Sequence, residues 1–368
     1  MNIRKEKYMN KRIIIAATMA ALVLGGCAKE IPAGIFDDES RYLNAWLKQD
    51  HTDDWEININ RNPETGLPDT LGRGVFLLSE TEGSGNAAIS GSYVKIHFVE
   101  RLLNGTISAS SAEAQAKQLL TYDKTYYYGP QIFCLSTGVN TAGFVDAIKG
   151  MKEGGKRTVL IPQWLNSNSD FATEQEYKNV SNADASSCIY EIELLQVIYD
   201  FDQYRIDEIE KFINEGIEQK RWKYENSGKF VDKVDSIGRG FYFIPITDTT
   251  GHKAFPSDTT IKINYTGYRL DGQAFDTTVK KTAIDNYIQS SSATYEPKEI
   301  KWAETYSGLT MDGSSLIKGF TKTIWQMNRG KGIGIFWSSL GYGSSASGNR
   351  IPAYAPLMFE VEFVKEEE

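Results

Sequence analysis

The chain has 368 residues, 41% of them hydrophobic and 24% charged, a composition that excludes the disordered and collagen-like classes. The length corresponds to two ordinary domains plus extensions. With 40 basic against 48 acidic residues the net charge is −8, which argues against a nucleic-acid partner, and three histidines and three cysteines leave little material for a zinc or iron–sulfur site.

At the N-terminus, Lys11 and Arg12 precede an apolar run over residues 13–24, the pattern of an export signal. The run is too short to span a bilayer as a mature helix, which takes ~20 residues. It closes on Leu24-Gly25-Gly26-Cys27, a segment that resembles the lipobox of bacterial lipoproteins. That resemblance implies removal of residues 1–26, acylation of Cys27 and attachment to a membrane through the lipid. It places the protein in the cell envelope, and Ala28 fits sorting to the outer membrane. Without the signal segment the chain carries 35 basic against 47 acidic residues, a net charge of −12. Cys134 and Cys188 are then the only other thiols, either bridged or free.

Residues 27–70 form an extension with a helix expected over 40–49. Beyond it the sequence repeats itself. Leu71-Gly72-Arg73-Gly74-Val75-Phe76 returns as Ile237-Gly238-Arg239-Gly240-Phe241-Tyr242, and Phe98 falls opposite Tyr265. Gly143-Phe144 and Met151 return as Gly319-Phe320 and Met327, and Ile189-Tyr190-Glu191-Ile192-Glu193 returns as Met358-Phe359-Glu360-Val361-Glu362. The organisation read from these offsets is a first domain over 71–198, a helical linker over 199–236 and a second domain over 237–368. The linker carries Ile206, Ile209, Phe212, Ile213 and Ile217 at helical spacing, predicting a helix over 202–223 that packs on one domain.

Within each copy most signals are strands. Residues 260–265 and 359–363 alternate apolar and polar side chains, so each strand buries one face. Leu270-Asp271-Gly272-Gln273 reads as a hairpin turn, and Phe320, Ile324 and Met327 share one face of a short helix. The fold class is α+β: two domains, each an antiparallel sheet wrapped around one short helix, with a helical segment before each.

The second copy resembles the FKBP family of peptidyl-prolyl cis-trans isomerases. The residues that carry the likeness are Ile263-Asn264-Tyr265-Thr266-Gly267, Asp271-Gly272-Gln273-Ala274-Phe275-Asp276 and Leu316-Ile317-Lys318-Gly319-Phe320. Gly341-Tyr342-Gly343, Ile351-Pro352 and Leu357-Met358-Phe359 complete it. The first copy resembles the same family, most clearly over 143–162, but Phe98 replaces the family's Tyr and the Phe-Asp pair is lost within Thr106-Ile107-Ser108-Ala109. It is expected to be a fold without a full active site.

What the resemblance implies is a proline pocket in the second copy. Phe275, Leu316, Ile317, Phe320, Ile351 and Phe359 bind the substrate, with Phe320 as the floor where the family usually has Trp. Asp276, Tyr342 and Tyr265 are the catalytic set: Asp276 orients the reacting amide through Tyr265, while the Ile317 N–H and the Tyr342 hydroxyl hold substrate carbonyls. No metal or cofactor is implied, and the partners are proline-containing segments of exported proteins. Three departures stand out. Between Asp276 and Leu316 lie 39 residues, longer than is usual for the family, and a polar insertion there such as Ile288-Gln289-Ser290-Ser291-Ser292 is expected to cover or reshape the pocket. The strand Ile335-Phe336-Trp337-Ser338-Ser339 lacks the family's Ile-Pro, and Arg350 occupies a position where the family carries an aliphatic residue. The competing function is a non-catalytic chaperone or envelope scaffold built on the same fold.

Overall fold

The computed structural model describes residues 35–49, 51, 57–179, 186–225, 227–248, 255–327 and 329–364, and the structural statements below concern these. The export segment and Cys27 lie outside them.

The first antiparallel sheet is built from β1 (Thr70–Leu71), β2 (Val75–Thr81), β3 (Tyr93–Leu102), β4 (Ile107–Ser110), β5 (Gln131–Cys134), β6 (Lys156–Ile161) and β7 (Cys188–Ile198). Their order is β1-β2-β6-β7-β3-β4, with β5 also on β3. The second sheet uses β8 (Phe241–Pro245), β9 (Thr260–Arg269), β10 (Ala274–Thr277), β11 (Lys298–Lys301), β12 (Thr310–Met311), β13 (Ser314–Ser315), β14 (Lys331–Phe336) and β15 (Leu357–Val364). Here β11-β9-β15-β14-β8 repeat the first sheet's β5-β3-β7-β6-β2, and β10 pairs with β9 as β4 pairs with β3. The duplicated α+β architecture follows the sequence repeat; where strands alternate, as in residues 260–265, the period-2 pattern turns one apolar face inward, while β8 and β14 are buried along almost their whole length.

Each inner face closes over one helix. In the first domain this is α3 (Ala142–Ile148), after the short α2 (Glu113–Gln118). In the second it is α7 (Lys318–Met327), whose Phe320, Ile324 and Met327 are 3%, 0% and 1% exposed. Burying each such side chain contributes about 1.5–3 kcal/mol. The expectation of a single helix per domain is incomplete: α2, α4 (Glu174–Lys178) and α6 (Lys280–Asp285) are additional short helices in the connecting segments, which bury at most one side chain each and so leave no periodic apolar signal.

The helical segments before each domain cover equivalent outer faces. The first, α1 (Ile35–Lys48), buries Trp46 and Leu47 against Leu78, Leu160 and Ile189. The linker helix, α5 (Phe201–Glu218), buries Ile209, Phe212 and Ile213 against Ile244, Ile333 and Ile335 of the second sheet. Its Asp200 cap accepts the Gln203 N–H at 3.0 Å. It stops before the predicted 223 because Lys220 turns left-handed at φ 52°, and the Arg221 and Lys220 N–H groups bond back to the Gly216 and Ile217 carbonyls. Cys134 and Cys188 are both unbonded, Cys188 being buried.

Candidate active site

The second domain gathers its aromatic side chains where β9, β10, β15 and α7 meet. Alternation along β9 turns Tyr265 and Gly267 inward, and the hairpin closed by Arg269 and Gln273 at 3.0 Å returns the chain as β10. A bulge between Ala274 and Asp276 in the β9–β10 register sets Phe275 and Asp276 side by side at the rim. The Tyr265 ring lies 5.0 Å from Phe320 and 6.3 Å from Phe359; Phe359 lies 4.7 Å from Phe320 and meets Phe275 edge-on at 5.6 Å. Behind them Phe336 stacks on Phe359 at 5.8 Å.

This packing depends on Gly267. A Cβ there would stand 2.6 Å from Phe275 Cζ and 2.9 Å from Phe359 Cε1, so a residue with a side chain forces the two rings apart.

One polar pair sits in this apolar surrounding. The Tyr265 hydroxyl donates to Asp276 Oδ2 at 2.8 Å. Burial raises the Tyr265 phenol pKa well above its ordinary value, and the Asp276 charge and hydrogen bond raise it further, with Tyr342 adding to the effect. Tyr265 therefore remains a neutral donor, and Asp276 is exposed at the rim.

The remaining residues expected at the site fall around this pair. Phe275, Phe320, Phe359 and Ile351 are buried, at 8%, 3%, 4% and 3% exposure, and Leu316 and Ile317 pack against the same cluster while half-buried. The Ile317 carbonyl accepts the Thr321 N–H at 3.1 Å, which makes Ile317 the residue that opens α7; among the described residues no acceptor engages its own N–H. Tyr342 is 38% exposed on the loop between β14 and β15. The arrangement is thus a shallow apolar box with one carboxylate, one buried phenol, one exposed phenol and one helix-terminal N–H at its edge. Groups of these kinds can bind a short apolar segment and hold its carbonyls; they supply no activated nucleophile.

The polar insertion around residues 288–292, expected to cover or reshape the pocket, is anchored elsewhere through Ile288. Ile288 and Ala283 join Ala274, with Tyr268 and Tyr295 beside them, on the face of the β9–β10 hairpin opposite Phe275. Two clefts of about 580 and 660 Å³ also lie away from the box, along the seam between the domains.

The first domain retains more than its sequence promised. Phe98, Phe133, Phe144 and Tyr190 form a ring of contacts at 5.8, 4.9, 5.4 and 6.0 Å. Phe133 and Tyr190 were missed as site residues, although the repeat sets Tyr190 opposite Phe359 and its aromatic character was there to be read. The polar pair is what is missing. Phe98 has no hydroxyl, Ala109 pairs with Glu100 as Asp276 pairs with Gly267, and burial followed by the Glu100 charge raises the Tyr190 phenol pKa.

Comparison with known proteins matches both domains to one family model, that of the FKBP-type peptidyl-prolyl cis-trans isomerases, over residues 85–195 and 251–364. The chain is also 28% identical over 126 residues to the macrophage infectivity potentiator of Trypanosoma cruzi, covering 34% of this chain and 52% of that protein. It thus spans about half the length of the curated relative it matches. Among solved structures, the three FKBP domains of wheat FKBP73 align at 15% identity over 79% of this chain and 93% of theirs, with a TM-score of 0.26. A peptidyl-prolyl cis-trans isomerase from Pseudomonas syringae pv. tomato aligns at 17% identity over 46% of this chain and 98% of its own, with a TM-score of 0.26.

Proposed function

The chain belongs to the FKBP-type peptidyl-prolyl cis-trans isomerase family, and from that membership we propose that its second domain catalyses rotation about X–Pro bonds, while the first serves binding or spacing. The observation that carries this reading is the Tyr265–Asp276 hydrogen bond inside an otherwise apolar aromatic box.

An X–Pro bond resists rotation because amide resonance is lost as the C–N bond twists; the barrier for a peptide bond is ~18–20 kcal/mol. No bond is made or broken, so a catalyst needs only to bind the twisted amide better than the planar one. Twisting reduces charge separation across the amide, and a ring-lined box disfavours the twisted carbonyl less than the planar one. Phe275, Phe320 and Phe359 supply the walls for the proline ring. Asp276, held in place by Tyr265, faces the reacting amide, and the Ile317 N–H and the Tyr342 hydroxyl hold neighbouring carbonyls. Prolyl isomerisation followed on an X–Pro peptide tests this: acceleration over the uncatalysed rate supports it, and a background rate with the intact chain removes it.

The substrates proposed are proline-containing segments of exported proteins, and the location proposed is the cell envelope, with Cys27 as the lipid attachment site. The export-type segment and Leu24-Gly25-Gly26-Cys27 support both. Cys27→Ser is expected to abolish fatty-acid labelling and to release the protein from the membrane fraction.

A second reading, binding without turnover, draws on the first domain. Its aromatic ring without a Tyr–Asp pair fits a client-holding module, and capture of unfolded protein by an Asp276→Ala variant as strong as that of the wild type favours it.

A further inference from the structure

Tyr342 and Ile351 of the proposed pocket ride on one loop, residues 337–356, and three contacts from outside the second domain hold that loop. At its start, the linker residue Arg205 donates to Ser338 Oγ at 3.3 Å and Ser339 Oγ at 2.7 Å. Arg205 and Ser338 are 8% and 1% exposed, and the guanidinium is stacked over the Trp337 ring at 4.4 Å. At its end, Tyr354 meets Tyr93 of the first domain and Phe201 of the linker edge-on at 5.5 and 5.1 Å, and those two rings stack on each other at 3.9 Å.

The third contact is at the tip and belongs to the first domain. Thr125, 2% exposed, accepts the Arg350 Nε–H on its hydroxyl at 3.2 Å and donates that hydroxyl to Asp123 Oδ1 at 2.8 Å. Arg269 Nη1 bridges the Thr125 carbonyl at 3.2 Å and the Arg350 carbonyl at 2.6 Å, and the Tyr127 N–H donates to the Asn349 carbonyl at 2.8 Å. Ile351, the next residue, is a wall of the pocket. Arg350 therefore points away from the pocket rim because it is engaged by the other domain.

We propose that Thr125 is a positioning residue for the second domain's pocket: through Arg350 the first domain fixes the loop that carries Tyr342 and Ile351, and thereby the affinity for substrate. This rests on the prolyl-isomerase reading of that pocket. Within itself the loop is held only by one 3-10 turn at Ser338–Leu340, a Ser347–Ile351 bridge and a few backbone bonds; connecting segments of this kind open locally at low cost unless anchored, so the outside anchors set how much of the population has the pocket formed.

The test uses the full-length chain with two readouts, prolyl-isomerisation kinetics and amide hydrogen exchange of residues 341–351. Thr125→Ala is expected to raise KM about fivefold with kcat retained, the factor that loss of one hydrogen bond yields, and to speed exchange in the loop. Arg350→Met removes the same bond from the other side and gives the same two shifts, while Thr125→Ser restores the wild-type values. Lys124→Ala, a contact on the Tyr287 ring of the insertion, leaves both unchanged. Unaltered KM and exchange in Thr125→Ala and Arg350→Met, or equal shifts in Lys124→Ala, overturn the proposal. If the wild type shows no catalysis, the isomerase reading falls and exchange alone decides: faster exchange in the two variants upholds the anchoring, and unchanged exchange overturns it.

Discussion

The hydroxyl of Tyr265 on β9 donates to Asp276 Oδ2 on β10 across 2.8 Å, with rings on its buried side and solvent beyond the carboxylate. Removing either partner separates their roles. Asp276→Ala is expected to lower kcat/KM for an X–Pro peptide at least about tenfold, since the group facing the amide is lost. Tyr265→Phe leaves the carboxylate but frees its orientation, and a smaller loss is expected. Steady-state kinetics on the two variants check the order; a larger loss in Tyr265→Phe would assign the contact with substrate to the phenol instead.

Gly267 sets how closely Phe275 and Phe359 approach. With a Cβ at 2.6 and 2.9 Å from their rings, Gly267→Ala is expected to cost about 1–3 kcal/mol of stability and to lower activity together with it. The first domain, which carries Glu100 there and Ser108 in place of Phe275, avoids the collision by lacking the ring. Denaturant unfolding of Gly267→Ala is the check, and an unchanged midpoint contradicts the packing argument.

Gly216 gives a prediction of reversed sign. Glycine in a helix normally costs about 1 kcal/mol relative to alanine, so Gly→Ala usually stabilises. Here the Trp222 ring folds back over the end of α5, and an added Cβ stands 2.4 Å from it. Gly216→Ala is therefore expected to lower the melting temperature by about 2–4 °C per kcal/mol lost, as calorimetry reads.

High pH should act through buried phenols. Burial first, then a neighbouring carboxylate, raises the pKa of Tyr190, Tyr204, Tyr242 and Tyr265, and burial pushes Tyr354 up to about 12. The unfolded chain releases these protons near pH 10. The folded state holds them longer, so their contribution to stability is complete below pH ~10 and is lost as pH rises from there toward the folded values. Absorbance at 295 nm is expected to show exposed tyrosines ionising near pH 10 and a cooperative second phase as the fold gives way. One smooth transition near pH 10 would contradict this.

The repeat was legible because strand motifs return at a nearly constant offset, so Phe98 and Tyr265, or Tyr190 and Phe359, take equivalent places in the two sheets despite unrelated loops. The Tyr265–Asp276 pair was legible through the family motif that its residues carry. What local sequence does not encode is contact across distance. Thr125 and Arg350 lie 225 positions apart, so nothing local in the sequence pairs Arg350, a departure from the family's aliphatic residue, with its partner on the other domain. The end of α5 was hidden for another reason: its left-handed cap is Lys220, without the glycine that usually signals one. The insertion's choice of face was likewise invisible, since Ile288 meets Ala274 only once the hairpin is built.

The most direct test of the central claim compares cis-to-trans conversion of an X–Pro peptide by the full-length chain and by its Asp276→Ala variant at neutral pH. The account predicts clear acceleration by the first and at least about a tenfold loss in the second. Equal rates in the two proteins, whether both accelerated or both at background, would contradict it.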